Sequence, residues 1–269
     1  MIDTHAHLDH LQDWRASLRR ARQQGIRAVV TMSVNLESCR TNLAIAREAD
    51  FPVYLAVGMH PSEADLKELP SCLALIRENI ERVSAIGEVG LDFWYKWVKK
   101  DPEKQEEQRL VFQAFLDLAK ETGLPVVIHS RGAWAEALEM VRRSGVTRAE
   151  FHWYSGPLDV LKEIVEAGYY VSATPSLAYS APSRQAVARA PLRQVLIETD
   201  SPVTYRNKET GEVFQAEPAD VNRTLEAYCA LTGSDRESTL AVLDQNARTF
   251  FSLKDESGRK FGKGNQTAQ

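Results

Sequence analysis

Apolar, β-branched runs recur at a steady beat along this chain, each about five residues long and each followed by a polar turn. The pattern predicts eight strands: Ile2–His7, Arg27–Met32, Val53–Val57, Val83–Glu88, Val126–His129, Arg148–His152, Tyr169–Ser172 and Val195–Glu198. The stretches between them change from a two-residue to a helical period. Trp14–Gln24 is closed by Gly25, and Leu36–Glu48 is preceded by Asn35 as a cap. Gln105–Glu121 stops at Gly123 and Pro125, and Pro157–Ala167 opens on proline and ends at Gly168. Strands alternating with helices imply parallel βα units. Eight such units predict a single-domain α/β protein, a (β/α)8 TIM barrel over residues 1–253. A doubly wound open sheet is the alternative, but no GxGxxG follows any strand. From Ser252 onward the chain turns polar, and residues 254–269 read as a flexible tail.

Composition narrows the class. The 269 residues are 43% hydrophobic, enough for a sizeable core. No window approaches the roughly 18 apolar residues of a membrane span. Cys39, Cys72 and Cys229 are scattered and odd in number, which argues for a reducing, cytoplasmic setting and against a thiolate metal site. A net charge of −4 excludes a generally basic nucleic-acid coat, so a polyanionic substrate needs a local positive face.

The histidines then change the picture. Three of the six fall in the opening MIDTHAHLDH, which has neither the basic start nor the apolar run of a targeting segment. On a strand, Asp3, His5 and His7 share one face. His60 follows the third strand, His129 ends the fifth and His152 the sixth; Glu88 ends the fourth and Asp200 follows the eighth. Six strands thus carry a histidine or carboxylate at the C-terminal end, where barrel active sites lie. His10 is left over and reads as a surface residue of the first loop. Imidazoles and carboxylates without cysteine suit zinc, magnesium or manganese. Seven such groups exceed one tetrahedral ion, so two divalent ions are expected, with Glu88 placed to bridge them. Paired ions activate water for hydrolysis. No GxxxxGK[ST] loop or GxSxG elbow competes.

Together, DTHAHLD, VGMHP, IGEVGLD, VIHSR, FHWYSG and ETDSP resemble the TatD family of metal-dependent deoxyribonucleases, within the amidohydrolase-like barrels, over Ile2 to about Leu253. The resemblance implies one ion held by His5, His7, Glu88 and Asp200. It implies a second held by Glu88, His129 and His152. It places His60 near the substrate phosphate and makes Asp200 the proton acceptor from water. The chain departs from the family where Trp153 and Tyr154 replace a Cys-Phe pair. It departs again where Gln215, Ala216, Glu217 and Pro218 replace an Arg-Asn-Glu-Pro motif, after a longer loop over Tyr205–Phe214.

The fourth-strand loop, LDFWYKWVKKD, interleaves aromatics with lysines, a composition suited to single-stranded nucleic acid. Trp94 and Lys96 are therefore expected substrate contacts, with Arg131 just past His129, Trp153 just past His152, and His60 as the resemblance implies; Glu88 and Asp200 are the expected catalytic pair, Asp200 through the resemblance. The expected activity is a two-metal-dependent hydrolase of DNA phosphodiester bonds, an exodeoxyribonuclease preferring single strands, with the 3′–5′ direction implied by the resemblance. The alternatives are a metal-dependent deacylase or amidohydrolase, such as a D-aminoacyl-tRNA deacylase, and a non-catalytic metal-dependent binding subunit.

Overall fold

The computed structural model describes residues 1–253; the tail expected over 254–269 lies outside the described residues. The strands are β1 (Ile2–Ala6), β2 (Ala28–Met32), β3 (Val53–Val57), β4 (Val83–Asp92), β5 (Val126–Arg131), β6 (Ala149–Phe151), β7 (Tyr170–Ala173) and β8 (Val195–Ile197). They lie side by side in chain order, every neighbouring pair parallel. Seven helices cover the strands or follow them: α1 (Trp14–Gln23), α2 (Leu36–Glu48), α3 (Leu69–Glu78), α4 (Pro102–Thr122), α5 (Trp134–Ser144), α6 (Leu158–Glu166) and α7 (Ala181–Val187). Two more close the described chain, α8 (Val221–Thr232) and α9 (Arg236–Phe251). This is the expected (β/α)8 barrel, and among the described residues no helix is long and apolar enough to cross a membrane.

Local chemistry sets most boundaries. The Asn35 side chain caps α2 by accepting from Ser38 N at 2.9 Å. Helix α4 starts earlier than its apolar period suggests, because Asp101 accepts from the backbone of Glu103 and Lys104 and Pro102 fits the first turn. The larger difference is β4, which runs four residues past Glu88 to Asp92 and pairs Gly90 with His129 and Asp92 with Arg131. Gly90 permits this: its φ is 145°, and a Cβ there would sit 2.0 Å from the His129 carbonyl oxygen.

Inside the barrel, Ala28, Val30 and Met32 alternate with Val29 between the interior and the helix shell. Ile2, Ala56, Ala85, Val127 and Leu196 complete the interior cluster, and Phe250, Phe251 and Leu253 at the end of α9 pack against it. The barrel closes through residues just past β8. Asp200 N donates to the His5 carbonyl at 2.9 Å and His7 N to the Ser201 carbonyl at 2.8 Å. The buried Asp3 carboxylate accepts from Thr199 N at 3.0 Å and Thr199 Oγ1 at 2.7 Å. The segment expected as a long loop is instead an antiparallel hairpin, β9 (Thr204–Arg206) and β10 (Val213–Gln215), anchored by buried Tyr205 donating to the Thr199 carbonyl.

Candidate metal centre

Seven chemistry-bearing side chains converge at the C-terminal mouth, with Glu88 between them. Glu88 Oε2 faces one group: His5 Nε2 at 3.3 Å and His7 Nε2 at 3.5 Å, and Asp200 Oδ1 lies 3.5 and 3.3 Å from those same nitrogens. Glu88 Oε1 faces another: His152 Nε2 at 2.8 Å, His129 Nδ1 at 2.9 Å and His60 Nε2 at 3.6 Å. Backbone geometry serves the placement. Asp200 (φ 49°) and Trp153 (φ 41°) hold left-handed conformations that non-glycine residues rarely adopt, one at a predicted ligand and one beside it.

The donor set fits divalent cations. His5 Nε2 meets His7 Nε2 at 3.3 Å, and His152 Nε2 meets His129 Nδ1 at 3.3 Å. Two imidazole lone pairs facing each other repel unless a cation or proton lies between them. The protonation behaviour agrees. Burial pulls His7 down, but hydrogen bonds to Asp200 and Glu88 overcome it and lift the ring to about 10. His152 and His129 are raised against the same burial, His152 by the charges of Glu88 and Glu198, His129 by hydrogen bonds to Asp92 and Glu88. Burial would raise Glu88, yet the histidine charges around it hold it well below its usual range. The mouth therefore draws positive charge, and ligands of this kind shed protons when a metal takes their place. His60 differs: burial, only partly offset by Glu88, lowers it to about 3, so it is a neutral imidazole. Its Nδ1 accepts from Ser62 N at 3.0 Å, which leaves Nε2 toward the cavity.

Two residues whose roles were not legible stand behind the ligands. Asp92 Oδ2 lies 2.9 Å from His129 Nε2 and accepts from Arg131 Nη2 at 2.8 Å. Glu198, fully buried, touches His5 and His152. Its signal was its place in ETDSP, two residues before Asp200. Beside it, Glu150 is also fully buried with both carboxylate oxygens unpartnered among the described residues. Burial and the charge of Glu198 push the Glu150 carboxyl well above its usual range.

A cavity of about 810 Å³ opens over the mouth, lined by His7, His60, Tyr95, Arg131, Trp153 and Asp200 among others. Of the expected substrate contacts, His60, Arg131 and Trp153 line it. Trp94 and Lys96 are not among its lining residues. The Trp94 ring fills the space a Cβ on Gly132 would need and sets its edge on Trp134 at 5.3 Å. Tyr95 faces the cavity in their place, with Trp97 stacked behind it at 4.4 Å. Arg131, expected as a substrate contact, has one guanidinium nitrogen committed to Asp92. His10 is exposed as expected; it stacks on His7 at 5.3 Å and lines the rim of the cavity.

The family model described as TatD related DNase matches residues 2–252. The chain is 29% identical over 263 residues to human "Deoxyribonuclease TATDN3", covering 93% of this chain and 94% of that protein. It is 31% identical over 262 residues to a Mycobacterium tuberculosis protein named "Uncharacterized metal-dependent hydrolase TatD", covering 94% and 98%. The crystal structure of the Escherichia coli TatD homologue YjjV superposes with a TM-score of 0.85 at 28% identity, covering 94% of this chain and 98% of that one. A TatD-family hydrolase from Entamoeba histolytica shares the fold with a TM-score of 0.80 at 18% identity. With a family model spanning nearly all of the described residues, this chain belongs to the TatD-related DNases.

Proposed function

We propose that the chain is a hydrolase using two divalent ions, zinc, magnesium or manganese, to cleave phosphodiester bonds of DNA from a 3′ end, with a preference for single strands. The observation that carries the reading is the division of Glu88, one oxygen toward His5, His7 and Asp200, the other toward His129 and His152. His5, His7, Glu88 and Asp200 would hold one ion, and Glu88, His129 and His152 the other. When bound, such a pair lowers the pKa of water and neutralises charge on the attacking and leaving oxygens.

The chain's own groups do the rest. Asp200 accepts the proton of the attacking water. Neutral His60 and the free face of Arg131 bind the phosphate, while Asp92 keeps both His129 and Arg131 in place. The cavity volume is that of a small-ligand pocket and suits a terminal nucleotide. Tyr95 and Trp97, with Trp97 57% exposed, form a stacked platform leading out of the cavity, the kind of surface on which unpaired bases stack. The 3′ polarity rests on the family resemblance, and relatives named deoxyribonucleases support DNA as substrate. Three free cysteines support a cytoplasmic setting.

The test is single-stranded DNA labelled at either end, incubated with EDTA, Mg²⁺, Mn²⁺ or Zn²⁺ beside a Glu88→Ala control. Ion-dependent mononucleotide release that removes the 3′ label first, absent in the variant, is the expected result. DNA left intact under every ion, with amino acid released from D-aminoacyl-tRNA, would move the reading to a deacylase.

A further inference from the structure

Glu198 stands behind the ligands on the side away from Glu88. Its Oε2 lies 3.4 Å from His5 Nδ1, and its Oε1 lies 3.4 Å from His152 Nδ1. Both rings point Nε2 the other way, toward Glu88, at 3.3 and 2.8 Å. The rings stack with centroids 4.2 Å apart and planes 19° from parallel. In the assignment above, His5 serves one ion and His152 the other.

We infer that Glu198 is a positioning residue shared by the two ion sites, fixing the tautomer and orientation of one histidine from each so that the sites are preorganised together. The inference rests on the two-ion reading. A neutral imidazole that gives its Nε2 lone pair to a metal carries its proton on Nδ1, and a buried N–H needs an acceptor. Neither Nδ1 makes a hydrogen bond among the described residues, nor does Glu198 Oε2, and the Glu198 carboxylate, 3.4 Å from each, is the acceptor placed opposite both. Glu198 is itself held: Oε1 accepts from Ser172 Oγ at 2.9 Å and from Trp153 N at 3.0 Å. The left-handed backbone at Trp153 accompanies that second bond. Asp92 does the same work for His129 alone, so the structure carries its own comparison: one carboxylate that serves one site and one that serves both.

The experiment is calorimetric titration of metal-free protein with Mn²⁺, with bound metal counted by mass spectrometry. Wild type is expected to take two ions. Glu198→Gln keeps the shape but offers His5 or His152 an amide N–H, and both affinities should fall roughly 10- to 100-fold. Asp92→Asn should weaken one ion and spare the other. Ser172→Ala, a small change that frees Glu198 on one side, should repeat the two-site pattern more weakly, and it decides the question if Glu198→Gln does not fold. A variant that merely destabilised the fold would lower the metal-free melting temperature without the two-site fall in affinity. Loss of one ion with the other at wild-type affinity in both Glu198→Gln and Ser172→Ala, or unchanged binding in both, would overturn the shared role. A wild type that takes fewer than two ions would overturn the two-ion reading itself.

Discussion

The two ends of this barrel are made from the same strands and obey opposite rules. At the N-terminal end the interior is Ala28, Val30, Ala56, Ala85, Val127 and Leu196, plugged by Phe250, Phe251 and Leu253. None of these side chains asks for a hydrogen bond. A few residues further along the strands the interior becomes His5, Glu88, Glu150, His152 and Glu198, all buried, several with polar atoms that have no partner among the described residues. Left-handed Trp153 and Asp200 add backbone strain at that end, while Ser252, left-handed where α9 stops, is the counterpart beside the plug. Unsatisfied and strained groups cost on the order of 1–3 kcal/mol each. The comparison teaches a separation of duties: the plug stabilises the fold, and the mouth keeps a charged, reactive arrangement that would not hold itself together.

The sharpest break of that separation is Glu88→Ala. It removes the group that faces both predicted ligand sets, and ion-dependent cleavage should drop on the order of 10³-fold or more, equivalent to about 4 kcal/mol. Circular dichroism should be unchanged, because the plug is untouched. Next comes Phe250→Ala. It should destabilise the fold by about 3–5 kcal/mol in urea unfolding while the remaining folded protein keeps its turnover per molecule. Parallel loss of turnover would show that the two ends are not separable. Trp97→Ala lies outside both ends and should weaken single-stranded DNA binding by about 1–3 kcal/mol, read as a higher KM at nearly constant kcat. Trp94→Ala, packed on Trp134, should change KM less; the reverse order would return the substrate contact to Trp94.

The smallest effect should come from Glu150→Gln. The buried Glu150 carboxyl titrates well above its ordinary 4.5. Below that value both folded and unfolded chains hold the proton. As pH rises through it, the unfolded chain ionises while the folded one does not, so stability falls. Glutamine has no proton to lose. The melting-temperature advantage of Glu150→Gln should therefore grow between pH 5 and pH 8. An advantage that stays flat would mean that Glu150 ionises inside the fold beside a cation.

What the sequence made legible divides along similar lines. The strands could be read because their buried, β-branched runs are near-continuous, and the ligand histidines because they are rare and fall at strand ends. Asp92 stayed hidden because it follows the apparent end of β4, and only the close approach of Gly90 to His129 lets that strand continue. Glu198 stayed hidden because acidic residues are common and its two contacts come from β1 and the residue just past β6, far apart in the chain. Trp94 and Tyr95 are adjacent in an irregular loop, and no periodicity says which of them turns inward. The hairpin over β9 and β10 read as a loop because its strands are short and half exposed.

The seam gives the molecule an order of assembly. His5 and His7 leave the ribosome well before the backbone that receives them, Thr199 to Ser201, which comes almost two hundred residues later. At about 5–20 residues per second that is a wait of roughly 10–40 s. During the wait β1 has an open edge, and Asp200, which completes the predicted ligand set, does not yet exist. A chain interrupted before Thr199 cannot assemble that set. Closing the barrel and completing the predicted ligand set are therefore one event.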